Sequence, residues 1–318
     1  MTKIIQFIDE TIPFLRDSYS QAIKDLPLID SNIEVVSYSY HFLRKNLIQE
    51  DTEPIVLFLE AGQLQPKHSN CDFGYFKWKF PNSKIVVWSS DLQYYLINEN
   101  RFQFDGSDKV DLVFECTPSC QTWWSAIGVN STSIPWTISK SLYKKLTELA
   151  GEHINFYRKK NDFICLANFS GEYRKSLLTY LDGERYSYIV GGKHDDQNLD
   201  QTYENFLNSW ICLGTSSHNR PELNLPGQRT MKGYRDAMAI ALNCLLIYDD
   251  DKDVDATWTI KGMPRWKFDD FSLIPEILEY YKYNLVAYRD KLREQQVWLS
   301  GHLLDDMIYF NLKKFGII

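Results

Sequence analysis

"PGQRTMKGYRDAMAIALNCLLIYDDD", residues 226–251, decides how this chain is read. A basic, polar segment runs into a stretch of small residues with helical character, then an apolar run, then acids. A helix feeding a continuous apolar strand is the repeating unit of a parallel sheet covered on both faces. Arg229, Lys232 and Arg235 fall where the helix begins. Free N–H groups and the positive end of the macrodipole gather at that point, so an anion is the natural ligand there.

The same alternation extends backward from this segment. "FICLAN" (163–168) reads as a strand, "GEYRKSLLTYL" (171–181) as a helix, and "YSYIVGG" (186–192) as a strand. "QTYENFLNSW" (201–210) reads as a helix, "ICLGTS" (211–216) as a strand, and "NCLLIYDD" (243–250) as the strand that ends the opening segment. The first half carries its own set: "KIIQFI" (3–8), "IEVVSYS" (33–39), "PIVLFLEAG" (54–62), "KIVVWSS" (84–90), "DLVFECT" (111–117) and "STSIPW" (131–136). Between the last two, "PSCQTWWSAIGV" predicts a helix closed by Gly128. From Ser272 to about Lys314 the pattern is helical, with a break near Ser300 and Gly301.

Two successive α/β units followed by helices predict two Rossmann-like domains, since 318 residues is long for a single core. The expected division is residues 1–155, 156–295 and a terminal helix, 296–318. In such sheets ligands bind beyond the carboxyl ends of the strands, which predicts a cleft between the two domains.

Composition narrows the class. A net charge of −7 argues against a general nucleic-acid binder, which presents a basic surface. Cys71, Cys116, Cys120, Cys165, Cys212 and Cys244 have no CxxC spacing, so neither a zinc site nor a redox dithiol is indicated; buried free thiols are expected. The first residues carry too many charges for a signal peptide, and no apolar run approaches the ~18 residues that span a bilayer. A cytoplasmic protein is expected.

Several landmarks in order, across residues 84–250, resemble the GT-B glycosyltransferases, in particular the group that includes spore-maturation-type enzymes and the phage DNA β-glucosyltransferase. They are "KIVVWSSD" (84–91), "DLVFECTPSCQTWWSAIGVNSTSIPWTIS" (111–139), "FICLANFSGEYRKSLLTYL" (163–181), "YIVGG" (188–192) and "ICLGTSS" (211–217). The last is the opening segment, which is similar to the family's donor-binding motif. That segment lacks the family's glutamate: alignment from Tyr234 puts Arg235 in its place, and alignment on "AMA" puts Asp236 there.

The resemblance implies two Rossmann-like domains with parallel sheets facing a cleft, and C-terminal helices crossing back. It implies transfer of a sugar from a nucleotide sugar, a UDP- or GDP-sugar, to a glycan or other hydroxyl acceptor, without metal or further cofactor. Arg229, Lys232 and Arg235 are then candidates for the donor diphosphate, with the neighbouring Asp236. Asn168, Ser170, Gly171, Arg174 and Lys175 form a second set, a loop and two cations at a helix start that reads equally as a capped surface helix. His218, beside Arg220, is a third candidate near the phosphates. Asp91 at a strand end is the candidate base of an inverting mechanism, or a helix N-cap, and Glu60 is the reserve. The acids at 249–255 lack the glycine and final glutamate of an EF-hand and read as a solvated turn. A sugar-nucleotide epimerase or hydrolase, and a non-catalytic glycan- or partner-binding protein, remain open alternatives, because a fold does not establish activity.

Overall fold

The structure is a computed structural model describing residues 1–8, 16–39, 56–60, 77–89, 109–116, 120–166, 172–191, 199–214, 233–250, 263–267 and 270–318. Two compact units divide it: Met1–Lys140 together with Leu304–Ile318, and Ser141–Leu303. The chain thus passes from one unit to the other after Lys140 and returns after Leu303, where sequence reading placed the divisions near residues 155 and 295.

The first unit is built on strands β1 (Thr2–Ile8), β2 (Ile33–Ser39), β3 (Val56–Glu60), β4 (Lys84–Ser89), β5 (Leu112–Glu115) and β6 (Ser131–Ser133). They form one sheet in the order β2-β1-β3-β4-β5-β6, with every pair parallel. Short helices α1 (Gln21–Lys24) and α2 (Leu26–Ile29) follow a π-helical turn, Arg16–Ser20. Helix α3 (Cys120–Ala126) ends as its sequence predicts: Gly128 takes φ +77°, the left-handed conformation that favours glycine. Central strands buried on both faces explain the unbroken apolar runs; Ile85 to Trp88 and Leu112 to Phe114 are all fully buried.

The second unit begins with α4 (Lys140–Ala150), which the sequence pattern did not reveal, and continues with β7 (Asn161–Leu166), α5 (Glu172–Gly183), β8 (Tyr188–Gly191), α6 (Leu199–Leu207) and β9 (Ser209–Gly214). Then come α7 (Tyr234–Ala241), β10 (Leu245–Asp250), β11 (Arg265–Lys267), α8 (Leu273–Tyr283) and α9 (Leu285–Ser300), while α10 (Leu304–Lys314) belongs to the first unit. The sheet of the second unit runs β11-β10-β9-β7-β8, again all parallel. One face buries Phe163, Leu177, Leu181, Ile211, Ile247, Trp266 and Leu278 in a single apolar cluster. Helix α7 buries Ala237, Ala239 and Ala241, small residues that let it approach its neighbours closely. The helical stretch after Ser272 breaks at Asn284 as well as at the expected Gly301, because the Asn284 side chain caps α9 by accepting the Ala287 N–H at 3.0 Å.

Polar side chains close the backbone bonds that the sheet leaves open. Strand β11 pairs with β10 only from Tyr248 onward, so Leu246 lies below its reach. The buried amide of Gln295 on α9 fills that place: it accepts the Leu246 N–H at 3.1 Å and donates to the Leu246 carbonyl at 2.6 Å. At the start of the strands, Lys159 Nζ donates to the carbonyls of Ser209 and Asn243, each at 2.7 Å, and burial lowers its pKa to about 8. In the first unit α10 is held by Tyr309, which donates to Asp30 at 3.1 Å, and by Thr132, which donates to Asn311 at 3.2 Å.

Asp305 accepts the Lys140 N–H at 2.9 Å, and Leu304 N donates to the Ile138 carbonyl at 3.0 Å, so the two segments where the chain changes unit are bonded side by side. Burial raises the Asp305 carboxyl to about 6, Asp306 and Asp25 push the same way, and the Lys140 amide opposes them.

Two outcomes are expected. Gln295→Leu keeps the volume but strands a buried N–H and C=O, and should cost about 2–4 kcal/mol; urea unfolding would show a lower midpoint at unchanged slope. Because Asp305 binds its proton more tightly folded than unfolded, it favours folding more as pH falls from about 6 toward 3.8 and less above that window. Asp305→Asn, compared with wild type by urea midpoints on either side of that window, should remove this contribution; identical pH dependence in the two proteins would refute it.

Candidate functional site

In both sheets the strand order reverses once, between β1 and β3 in the first and between β7 and β9 in the second. Chains leaving neighbouring strands there turn to opposite faces and open a crevice at the carboxyl ends. The second crevice can be built from its residues. Leu166 and Gly214 are the last residues of β7 and β9, and the helices that follow these strands, α5 and α7, bring Arg174 and Arg235 into their first turns.

Arg174 is only 8% exposed, on the same helix face as Leu177 and Leu181. Arg235 donates to the Leu166 carbonyl, which ties the start of α7 to the carboxyl end of β7. Burial lowers the Arg235 pKa; the adjacent Asp236 opposes that, and the positive charge of Arg174 adds to it. Two guanidinium groups are therefore drawn from water within electrostatic reach of each other. Such a pair is costly unless negative charge meets it.

Asp236 supplies part of that charge and is bonded on two sides. Its Oδ2 accepts the Gly233 N–H at 3.1 Å, capping the helix it belongs to, and the Tyr248 hydroxyl hydrogen-bonds to it. Burial pushes the Tyr248 phenol well up, and the charges of Asp236 and Asp249 add to this. Tyr248 stands opposite Gly214 in the parallel register. A Cβ at Gly214 would lie 2.2 Å from the Tyr248 ring, so only glycine permits the ring this position.

The candidates from sequence fall into three groups. Arg174, Arg235 and Asp236 come together at the switch point, whereas Lys175, one residue from Arg174, is exposed on α5. Glu60 is placed by its backbone as the last residue of β3, in register with Trp88. Asp91, Asn168, Ser170, Gly171, His218, Arg229 and Lys232 lie outside the described residues. Tyr248 and Asp249 escaped the sequence reading, which took the acids from 249 onward as a solvated turn. Asp249 is in fact fully buried within β10, since the strand runs on to Asp250. The signal was present in "LLIYDD": a tyrosine and an acid closing a wholly apolar strand. As expected, Cys116, Cys165, Cys212 and Cys244 are buried free thiols, and burial lifts Cys244 to about 12. Among the described residues no cluster of three or more His, Cys, Asp or Glu is arranged to hold a metal, and no helix is long and apolar enough to cross a membrane.

Two doubly wound, parallel sheets in one chain, with the last helix returned to the first unit, define the GT-B fold. No protein-family profile matches the chain, and no curated protein matches it in sequence. Solved structures do match it. An α-glucosyltransferase in complex with UDP and a 13-mer DNA containing a central A:G mismatch superposes with a TM-score of 0.68 at 10% identity, over 100% of both chains. An α-glucosyltransferase in complex with UDP-glucose and DNA containing an abasic site gives 0.63 at 9% identity, covering 99% of this chain and 98% of the other. T4 phage BGT in complex with UDP and Mn²⁺ gives 0.55 at 12% identity, covering 100% and 99%. What the chains share at these identities is the fold, end to end.

Gly214→Ala is expected to drive the Tyr248 ring from its place and to destabilise the protein by about 1–3 kcal/mol. Thermal unfolding of the variant measures this, and an unchanged melting temperature would show that the ring moves freely.

Proposed function

We propose that the protein is a glycosyltransferase that takes its sugar from a nucleotide diphosphate donor. The observation that carries the reading is the convergence of Arg174 and Arg235 at the switch point of the second sheet. Breaking a bond to the anomeric carbon leaves charge on the departing diphosphate, and two preorganised guanidinium groups with low exposure stabilise that charge. The GT-B fold and its likeness to glucosyltransferases solved with UDP or UDP-glucose support a uridine nucleotide as the first donor to try.

The acceptor is a hydroxyl. The α-glucosyltransferases of the same fold are solved with DNA, so the charge of −7 does not exclude a nucleic acid here: net charge describes the whole surface and not one groove. A hydroxymethylated base in DNA therefore stands beside the glycan acceptor first expected. Independence from metal is likewise a proposal, since T4 phage BGT is solved with Mn²⁺.

A thermal-shift panel of UDP, GDP, CMP, ADP and dTDP with their common sugars tests the donor, because a ligand that binds only the native state raises its melting temperature. A selective rise with one nucleotide is expected, and Arg235→Ala should weaken nucleotide binding far more than it lowers folding stability. No rise with any nucleotide would overturn the reading in favour of a binding protein without nucleotide dependence. Transfer from radiolabelled donor to hydroxymethylated DNA or to glycans then separates the acceptor classes, and donor turnover without any acceptor would mark a hydrolase or epimerase.

A further inference from the structure

The acid of the donor helix has two partners that a nucleotide-binding role does not require. Asp236 Oδ2 takes the Gly233 N–H, and the Tyr248 hydroxyl, on β10, bonds to the same carboxylate. Tyr248 is held in place by the glycine-sized gap at Gly214 and by full burial among the strand ends. The carboxylate is at the same time a counter-charge to Arg235, its neighbour in sequence. A diphosphate arriving at Arg174 and Arg235 must compete with it.

We infer that Tyr248 is a positioning residue: its hydroxyl engages the Asp236 carboxylate and so weakens that group's hold on the arginines, which favours an incoming diphosphate. Asp236 is then an internal rival of the donor phosphates and not a ligand of the ribose. A hydrogen bond to a carboxylate offsets part of its attraction for other donors, and this carboxylate already spends one oxygen on the helix cap. The arrangement also explains why a tyrosine with a buried hydroxyl follows the apolar run of β10, and why β9 ends in glycine opposite it. The inference rests on the donor reading above, and the experiment separates the two.

The test compares wild type, Tyr248→Phe and the double variant Tyr248→Phe/Asp236→Asn in their affinities for UDP, inorganic pyrophosphate and uridine, by calorimetry on the full chain. Phenylalanine keeps the ring above Gly214, and asparagine keeps an oxygen for the Gly233 N–H, so each variant preserves the packing it replaces. Tyr248→Phe is expected to weaken UDP and pyrophosphate roughly 5- to 10-fold, the scale of one hydrogen bond to a charged group, and to leave uridine unchanged. Adding Asp236→Asn removes the rival charge and should restore UDP to wild-type affinity or better, a non-additive result. Equal weakening of UDP and uridine would show a purely structural tyrosine and overturn the inference. So would unchanged UDP affinity in Tyr248→Phe, or a double variant no tighter than the single. Wild-type protein that binds neither UDP nor pyrophosphate would overturn the donor reading itself, and this inference with it.

Discussion

The central strands of each sheet are buried on both faces, and much else in the molecule follows from that constraint. A parallel strand under helices on both sides has little place for a polar side chain along its length unless that side chain finds a partner, as Gln6 does in donating to the Ser20 carbonyl and the Ser37 hydroxyl. Polar chemistry is therefore displaced to the strand ends and to the rows where a neighbouring strand stops short. The carboxyl ends collect the arginines, Asp236, Tyr248 and Asp249. The opposite ends and edges collect groups that only close the backbone: Gln295 at Leu246, and Lys159 between Ser209 and Asn243.

These two populations look alike on a list of buried polar residues and differ in what they touch. Gln295 and Lys159 are turned toward backbone groups of adjacent strands, and their geometry is satisfied within the fold. Arg174 and Arg235 instead set two like charges in one another's field, beside the Asp236 carboxylate, which also caps a helix and bonds a phenol.

The comparison with known structures gives the same lesson on a larger scale. Identity of 9 to 12% over the whole chain leaves almost no shared residues, yet the order and direction of the elements are shared. Right-handed crossovers between parallel strands, with helices on both faces, admit few alternatives once the succession of strands and helices is set, so topology persists while side chains drift. In this chain the Asp236 carboxylate bonds to Gly233 and Tyr248.

The succession of elements was legible along the chain. Strand β2 occupies the residues its pattern marked, 33–39, α3 closes at Gly128, and Arg235 lies in the first turn of a helix ahead of an apolar strand. Periodicity, continuous apolar runs and glycine conformation are local properties, and a linear string carries them. Helix α4, the short turns between Arg16 and Ile29, and three-residue β11 were hidden because tertiary packing holds them and their own pattern is weak. It took the tertiary structure to show that Asp249 is buried, that Tyr248 rests over Gly214, and that Arg174 and Arg235, 61 residues apart in the chain (235 − 174), come within electrostatic reach of each other. Those facts depend on which strands become neighbours and in what register, and register is set by pairing partners that lie far away in sequence.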